Sequence, residues 1–390
     1  MKYVQLLICG IFLTLLACSI LNCQTDRNKT PETEKETSEA SEDIAELYRD
    51  IYERALRENT LDSQETIHDI AKRLGEYGYA AGDTENCNRF DMVCWKQVEE
   101  FCQMAKDGQD ASVSIFLVMG NGGFLRLDLK SSEGSVTAGR SVLIWKDESP
   151  MVSYRNSYPA DDWIYTEEGY LFFDESVPEG YDGAPGYTAI RVLPLDPVCR
   201  SFNQVYIIPV GYGANNMFLH DWTEKDFASL DFYDLFRILY PSVMNSPVPY
   251  GMSSEADILS IPPPGFEAVI LSRFAITRED LRAQTDYDPK TDSYLCPTRG
   301  FYDAGISPNQ PYPEVVAYTE NADRTITLIV NAVLPKEHLS QAFSHEVVVR
   351  PKKNGSFEYV SNHLIPSTVR TEMWWYIDRQ TEERNETEND

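Results

Sequence analysis

The chain has 390 residues, with 62 acidic against 34 basic side chains and a net charge of −28. A charge of that sign opposes contact with nucleic acid or with an anionic bilayer surface, so neither is expected as a direct partner of the folded body. Hydrophobic residues at 42% and aromatics at 12% suffice for well-formed cores, and the length suggests two domains.

The N-terminus is short and carries one positive charge, Met1-Lys2-Tyr3. It leads into Val4 to Ala17, about 14 almost wholly apolar residues. An ordinary membrane-spanning helix needs roughly 20, so this run has the length of the apolar part of a secretory signal. It ends Leu15-Leu16-Ala17-Cys18. That resembles the lipobox of bacterial lipoproteins, with Leu at −3, a small residue at −1, and then the cysteine that receives diacylglycerol and palmitate. Cys18 is the expected lipidation site. Cys23, preceded by Asn22, is the alternative. The other readings are an ordinary secretory signal with Cys18 incidental, or an uncleaved anchor. Residues 24–42 are Thr, Ser, Glu, Lys and similar polar types with no large apolar side chain. Such a segment cannot bury apolar surface and is expected to be a disordered tether. The acidic tail, 379–390, reads the same way.

Helices open the folded part. Ser41 is placed to cap a helix carrying Ile44, Leu47, Tyr48, Ile51, Ala55 and Leu56 at steps of three and four. Asp62 to Glu65 starts a second, with Ile67, Ile70, Ala71 and Leu74 on one side and Gly75 as its stop. A third follows Asp91 and carries Cys94 and Cys102 on its apolar stripe. From Ala111 the period changes to two. Strands are predicted at 112–119, 124–129, 135–145 and 151–158, with Gly120-Asn121-Gly122-Gly123 as a hairpin turn. Trp163 to Tyr165 and Tyr170 to Phe173 flank a further hairpin whose Gly169 is free to take a positive φ. Sequential hairpins imply an antiparallel sheet with helices on one face.

The Gly- and Pro-rich loop 176–187 is the expected domain boundary. Beyond it come a strand from Thr188 to Leu193, a short helix at 197–203, and the apolar run Val205 to Ile208. Helices follow at 231–239, 265–274 and 276–283, and strands at 325–333, 343–350 and 357–360. The class is therefore α+β. N-terminal helices followed by an antiparallel sheet fill 43–186, and a second α+β domain with an antiparallel sheet fills 187–378. Residues 1–17 are the signal and 18–42 the lipidated cysteine and tether.

Chemistry is sparse. GxSxG, HExxH, GxxxxGK and GxGxxG do not occur. In the strand 343–350, His345 shares a face with Phe343, Val347 and Val349 and reads as a hydrogen-bonded core histidine. His220 and Asp221, just before Trp222, are a candidate ligand-binding pair. Trp374 and Trp375 are candidate ligand-binding aromatics in the run Trp374-Trp375-Tyr376, which cannot all face one way. The carboxylates Asp286, Asp288 and Asp292 have Lys290 and Thr291 where a calcium loop wants an oxygen ligand and Gly, so they read as an acidic turn. No catalytic residue, metal or cofactor is assigned. Cys87, Cys94, Cys102, Cys199 and Cys296 match neither CxxC nor a metal-finger spacing. Buried free thiols are expected for Cys94 and Cys102, and a bridge from Cys87 to one of them is the alternative.

From Ala189 onward the chain resembles a family of uncharacterised lipoproteins from clostridial gut bacteria, a domain of unknown function. The residues that carry the resemblance are AIRVLPLDPVCR (189–200), IPVGYG (208–213), DFYDLF (231–236), PYPEV (311–315), FSH (343–345) and YVSN (359–362). It extends more weakly back to the helices near residue 45. The resemblance implies a lipoprotein address and no assigned activity, so it carries no functional residue over. Together these readings point to a non-catalytic, membrane-anchored binding or envelope-associated protein, with an envelope glycan or protein as partner. A cell-envelope hydrolase with a sequence-dispersed active site is the alternative. A solute-capture lipoprotein ranks below both, because the βα alternation of that class is not seen.

Overall fold

The computed structural model describes residues 40–84, 89–178, 186–249, 258–297, 310–366 and Trp375. They fall into two compact units that divide between Leu195 and Asp196. The class is α+β in both, as the sequence predicts.

In the first unit, residues 40–46 are helical and lead into α1 (Arg49–Glu58) and α2 (Gln64–Glu76). Ser41 lies inside the helical stretch, and its hydroxyl accepts from Arg126 Nη1 at 3.3 Å. The Ser63 side chain caps α2 by accepting from the Thr66 amide. Ile67, Ile70, Ala71 and Leu74 form the buried stripe of α2. The helix runs one residue past Gly75 and turns at Gly78, φ +86°.

A short strand follows, β1 (Ala80–Asp83), then α3 (Lys96–Lys106) and β2 (Ala111–Val118). β1 and β2 pair in parallel, Ala80 opposite Ile115. Parallel neighbours need a crossover, and α3 supplies it. The sheet continues antiparallel through β3 (Phe124–Ser132), β4 (Ser135–Lys146) and β5 (Ser149–Pro159) in the order β1-β2-β3-β4-β5. A second, three-stranded antiparallel sheet holds β6 (Asp161–Tyr165), β7 (Tyr170–Asp174) and β8 (Tyr187–Arg191).

The expectation of helices on one face is corrected by the parallel pair. α1 and α2 bury Ile51, Tyr52, Ile67 and Leu74 against Phe116, Val118, Phe124 and Leu143. α3 packs with the β6–β8 sheet on the opposite face, where Phe101, Cys102, Leu171 and Phe173 meet Ile115, Leu127 and Leu129. The boundary expected in loop 176–187 is also displaced. The strand placed at the start of the second part is β8, and it pairs antiparallel with β7, Phe172 opposite Ala189.

One turn ties the first pair of helices to the sheet. The Gly122 carbonyl accepts from the Tyr48 hydroxyl at 3.1 Å and from Trp145 Nε1 at 2.9 Å. Tyr52 stacks on Trp145 with centroids 4.0 Å apart. Gly122 has φ +79°, and a Cβ there would stand 2.6 Å from the Tyr52 ring.

In the second unit, α4 (Pro197–Phe202) is capped by Asp196 and runs into a π-helical turn, Asn203–Ile207. Asn203 Nδ2 donates to the Pro313 carbonyl at 3.0 Å. The main sheet is antiparallel, in the order β13 (Tyr312–Glu320), β14 (Ile326–Leu334), β15 (Leu339–Pro351), β16 (Phe357–Ile365) and β9 (Trp222–Thr223). α5 (Phe232–Met244) and α6 (Pro263–Arg273) carry Phe232, Phe236 and Phe266 into the core formed with Val330, Val347 and Tyr359. α7 (Arg278–Ala283) precedes a small sheet ordered β10 (Ile258–Ile261), β12 (Ser293–Pro297), β11 (Tyr287–Asp288). Glu267 on α6 is 5% exposed and accepts from Arg278, Arg282 and the Tyr294 hydroxyl, which satisfies a carboxylate that burial would otherwise penalise.

Two glycines of the first unit separate backbone strain from packing strain. Gly134→Ala meets only the left-handed backbone penalty (φ +82°, open space around the site) and should cost about 1 kcal/mol. Gly122→Ala adds the collision with Tyr52 and should cost about 3 kcal/mol. Urea unfolding followed by tryptophan fluorescence checks the pair, and equal losses would show that the turn does not clamp the helices.

Candidate functional site

The site grows out of a mismatch in strand length. Among the described residues, β1 covers β2 only from Ile115 to Val118, and residues 111–114 have no strand on that side. α1 and α2 cover the upper part of the same sheet face, where Phe116, Val118 and Phe124 are buried. Below them the alternation continues with polar residues, Ser112 and Ser114 on β2 and Arg126, Asp128 and Lys130 on β3. The register sets Ser114 opposite Asp128 and Ser112 opposite Lys130, so these side chains share one face. The result is a cleft of about 890 Å³ in the first unit. Its lining continues round the open edge of β2 to the other face, with Tyr79 and, from α3, Gln97, Glu100 and Met104 as walls and Phe101, Val113 and Leu129 as apolar lining.

The floor is prearranged. Asp128 Oδ1 accepts from the Ser114 hydroxyl at 2.5 Å and from Arg126 Nε at 2.9 Å. The Arg126 guanidinium also lies 5.6 Å from the Phe116 ring centroid. Gln97 Nε2 donates to the Gly78 carbonyl at 2.8 Å and pins the wall. Ser112, Glu100 and Lys130 are exposed. A serine donating to a carboxylate has the outline of a nucleophile with its base. Here, though, the same carboxylate oxygen is engaged by a guanidinium, and the cleft lining holds no histidine to relay a proton. The arrangement is suited to hydrogen bonding with a ligand.

The residues singled out in the sequence lie elsewhere. His220 and Asp221 stand just before β9 in the second unit. The His220 carbonyl accepts from Asn362 Nδ2 at 2.8 Å, and Asp221 Oδ1 accepts from the Leu364 amide at 2.6 Å. These bonds fasten the segment to β16. Trp375 is 8% exposed and lies parallel to Phe343, 6.2 Å between centroids, a core position and not an exposed stacking platform. Trp374, Cys18, Cys23 and Cys87 lie outside the described residues. Cys94, Cys102, Cys199 and Cys296 are free thiols. Cys102 is buried and its pKa is pushed up to about 12 by desolvation; Cys94 is half-buried with Sγ 3.6 Å from the Gly75 carbonyl. Asp288 holds the Lys290 amide and the Thr291 hydroxyl, and Asp292 accepts from Tyr287, which makes this run the acidic turn before β12 that its sequence suggests. Among the described residues no group of three or more His, Cys, Asp or Glu side chains could hold a metal ion.

His345 is fully buried between the Tyr212 hydroxyl, 2.8 Å from Nε2, and Asn362 Oδ1, 2.6 Å from Nδ1. An amide oxygen only accepts, so Nδ1 carries the proton and Nε2 accepts from Tyr212. Burial lowers its pKa to about 4, and the Asn362 bond offsets part of that shift. This is the hydrogen-bonded core histidine that strand parity predicts. The cleft, in contrast, went unread in the sequence. Its only signal is the parity of Arg126, Asp128 and Lys130 against Leu125, Leu127 and Leu129.

The fold and the cleft thus define a two-unit α+β protein with a cleft at a sheet edge. By sequence comparison the chain matches a family of unknown function, DUF6070, over residues 34–379, and it belongs to that family. No curated protein matches the chain, and no solved structure does.

The buried histidine gives stability a definite pH dependence. An unfolded imidazole protonates near 6.5 and this one near 4 in the fold. Between those values the unfolded chain binds the additional proton, so stability is intact above 6.5 and is lost as pH falls towards 4. Lowering the pH from 7.5 to 5 should remove about 2 kcal/mol through this group. Denaturant unfolding of His345→Gln at the two pH values should lack that increment; an unchanged pH dependence would assign it to other groups.

Proposed function

We propose that this chain is an exported bacterial lipoprotein, held on the outer face of the membrane by a lipid on Cys18, and that its folded body is a binding protein. The observation that carries the binding role is the cleft on β2 and β3, where Ser114, Arg126 and Asp128 are already locked together as a hydrogen-bonding surface. A preorganised surface binds without the cost of ordering its own side chains.

The address rests on the N-terminus. The apolar run ends in Leu15-Leu16-Ala17-Cys18, and the polar residues 24–42 supply a tether of the kind that holds a body off a membrane. The family match begins at residue 34, after the cysteine and within the polar segment. No helix of the described residues is long and apolar enough to cross a membrane. The partner on this reading is the membrane through the lipid, with an envelope component in the cleft.

Radiolabelled palmitate fed to expressing cells should enter the wild-type chain and be lost from Cys18→Ala, which should also leave the membrane fraction. Label persisting in that variant and vanishing from Cys23→Ala would move the anchor to Cys23. No label in either wild type or variant would remove the lipid from the proposal.

A further inference from the structure

The chemistry of the cleft also narrows what it can hold, provided the cleft is the binding site proposed above. Cations and carboxylates alternate across it. Arg126 and Lys130 stand on the floor, and Asp128, Glu100 and Asp110 stand on the floor and rim. Neither sign dominates, so a strongly charged ligand of either sign meets repulsion as well as attraction. The groups present are nevertheless rich in hydrogen-bonding capacity. A guanidinium and an ammonium donate, carboxylates accept, and the Gln97 amide and the serine hydroxyls do both.

We propose that the cleft takes an uncharged, polyhydroxylated ligand, a short stretch of saccharide. A sugar hydroxyl donates and accepts at once, and neighbouring hydroxyls on a ring match the two-pronged geometry of carboxylate and guanidinium groups. The floor repeats such groups at strand spacing, with Arg126, Asp128 and Lys130 two residues apart on β3 and the Ser114 and Ser112 hydroxyls opposite Asp128 and Lys130. Met104 and the half-buried Tyr79 supply apolar contact for the C–H faces of the rings. A volume of about 890 Å³ is within the range of small-ligand sites and leaves room for more than one ring.

An extended peptide is the competing occupant, because residues 111–114 of β2 lack a strand partner on the β1 side. The cleft favours the sugar on two counts. Gly78 and Tyr79 lead into β1 on that edge and are held by the Gln97 bond, so an incoming strand would have to displace them. Peptide recognition by strand addition also draws specificity from side-chain pockets, whereas the β2–β3 floor presents Ser112, Ser114, Arg126, Asp128 and Lys130, and the apolar lining residues Phe101, Val113 and Leu129 belong to the core on the other sheet face.

The test uses the full chain purified in detergent. A panel of cello-, xylo-, manno-, malto- and chito-oligosaccharides, peptidoglycan glycan strands and a library of extended hexapeptides is screened by calorimetry. At least one saccharide should bind, and both Lys130→Ala and Glu100→Gln, at exposed positions that leave the melting temperature unchanged, should weaken it about tenfold each. Hexapeptide binding that the same two variants weaken, with every saccharide silent, would overturn the saccharide class and keep the cleft. Saccharide or peptide binding indifferent to both variants, or no binding by the whole panel, would overturn the cleft as the site and this inference with it.

Discussion

In the first unit, helix and sheet are joined at a single backbone carbonyl. Gly122 sits at the tip of the β2–β3 hairpin, and its oxygen receives one hydrogen bond from Tyr48, at the start of the helical layer, and another from Trp145, near the end of β4. Local chain geometry, helix position and sheet register meet at that atom. Each bond is worth about 1 kcal/mol net, but both donors are also aromatic side chains in the packed layer, with Tyr52 stacked on Trp145. The left-handed φ that aims the carbonyl is open to glycine and costly to most other residues. The clamp lies at the upper end of the sheet and holds α1 there. The polar lower end of the same face is only partly covered, with Ser41 reaching Arg126, and the cleft opens there at the edge of β2.

The second unit is organised differently. Several of its buried polar groups are drawn inward and closed upon one another. Tyr212, His345, Asn362 and the His220 carbonyl form one chain of hydrogen bonds, and Glu267 is enclosed by two arginines and Tyr294. Such networks fix a unique packing because each member costs energy when left unpaired. The first unit instead leaves part of its polar network at a surface cavity.

Much of the secondary structure was legible because the side-chain period is local. Strand alternation placed β2 to β7 and β14 to β16, and parity alone put His345 inward. What escaped is non-local. β1 reads Ala-Ala-Gly-Asp, with no β-branched residue to mark it, and it is a strand only because Ile115 to Val118 lie beside it. Missing that one element hid the crossover, the placement of helices on both faces and the short coverage of β2 that makes the cleft. The boundary failed for a related reason. A Gly- and Pro-rich loop between two strands of one sheet has the same composition as a linker between two domains, and only the pairing of β7 with β8 tells them apart. The histidine and tryptophans drew attention by residue type, whereas the cleft is made of common residues whose value lies in their spacing.

The buried cysteines have a consequence for chemical durability. Disulfide exchange and oxidation proceed through the thiolate, and inside this fold Cys102 is shielded from solvent while burial also pushes the pKa of Cys199 up. Folding therefore protects them, because burial keeps oxidant away and disfavours the thiolate through which oxidation proceeds. For Cys102 and Cys199, in a chain proposed to work outside the cell, the hazard is greatest in the interval before α3 and α4 close over these sulfurs. The rate at which oxidant consumes them then measures how often the protein opens, and a destabilised variant would age chemically before it visibly unfolds.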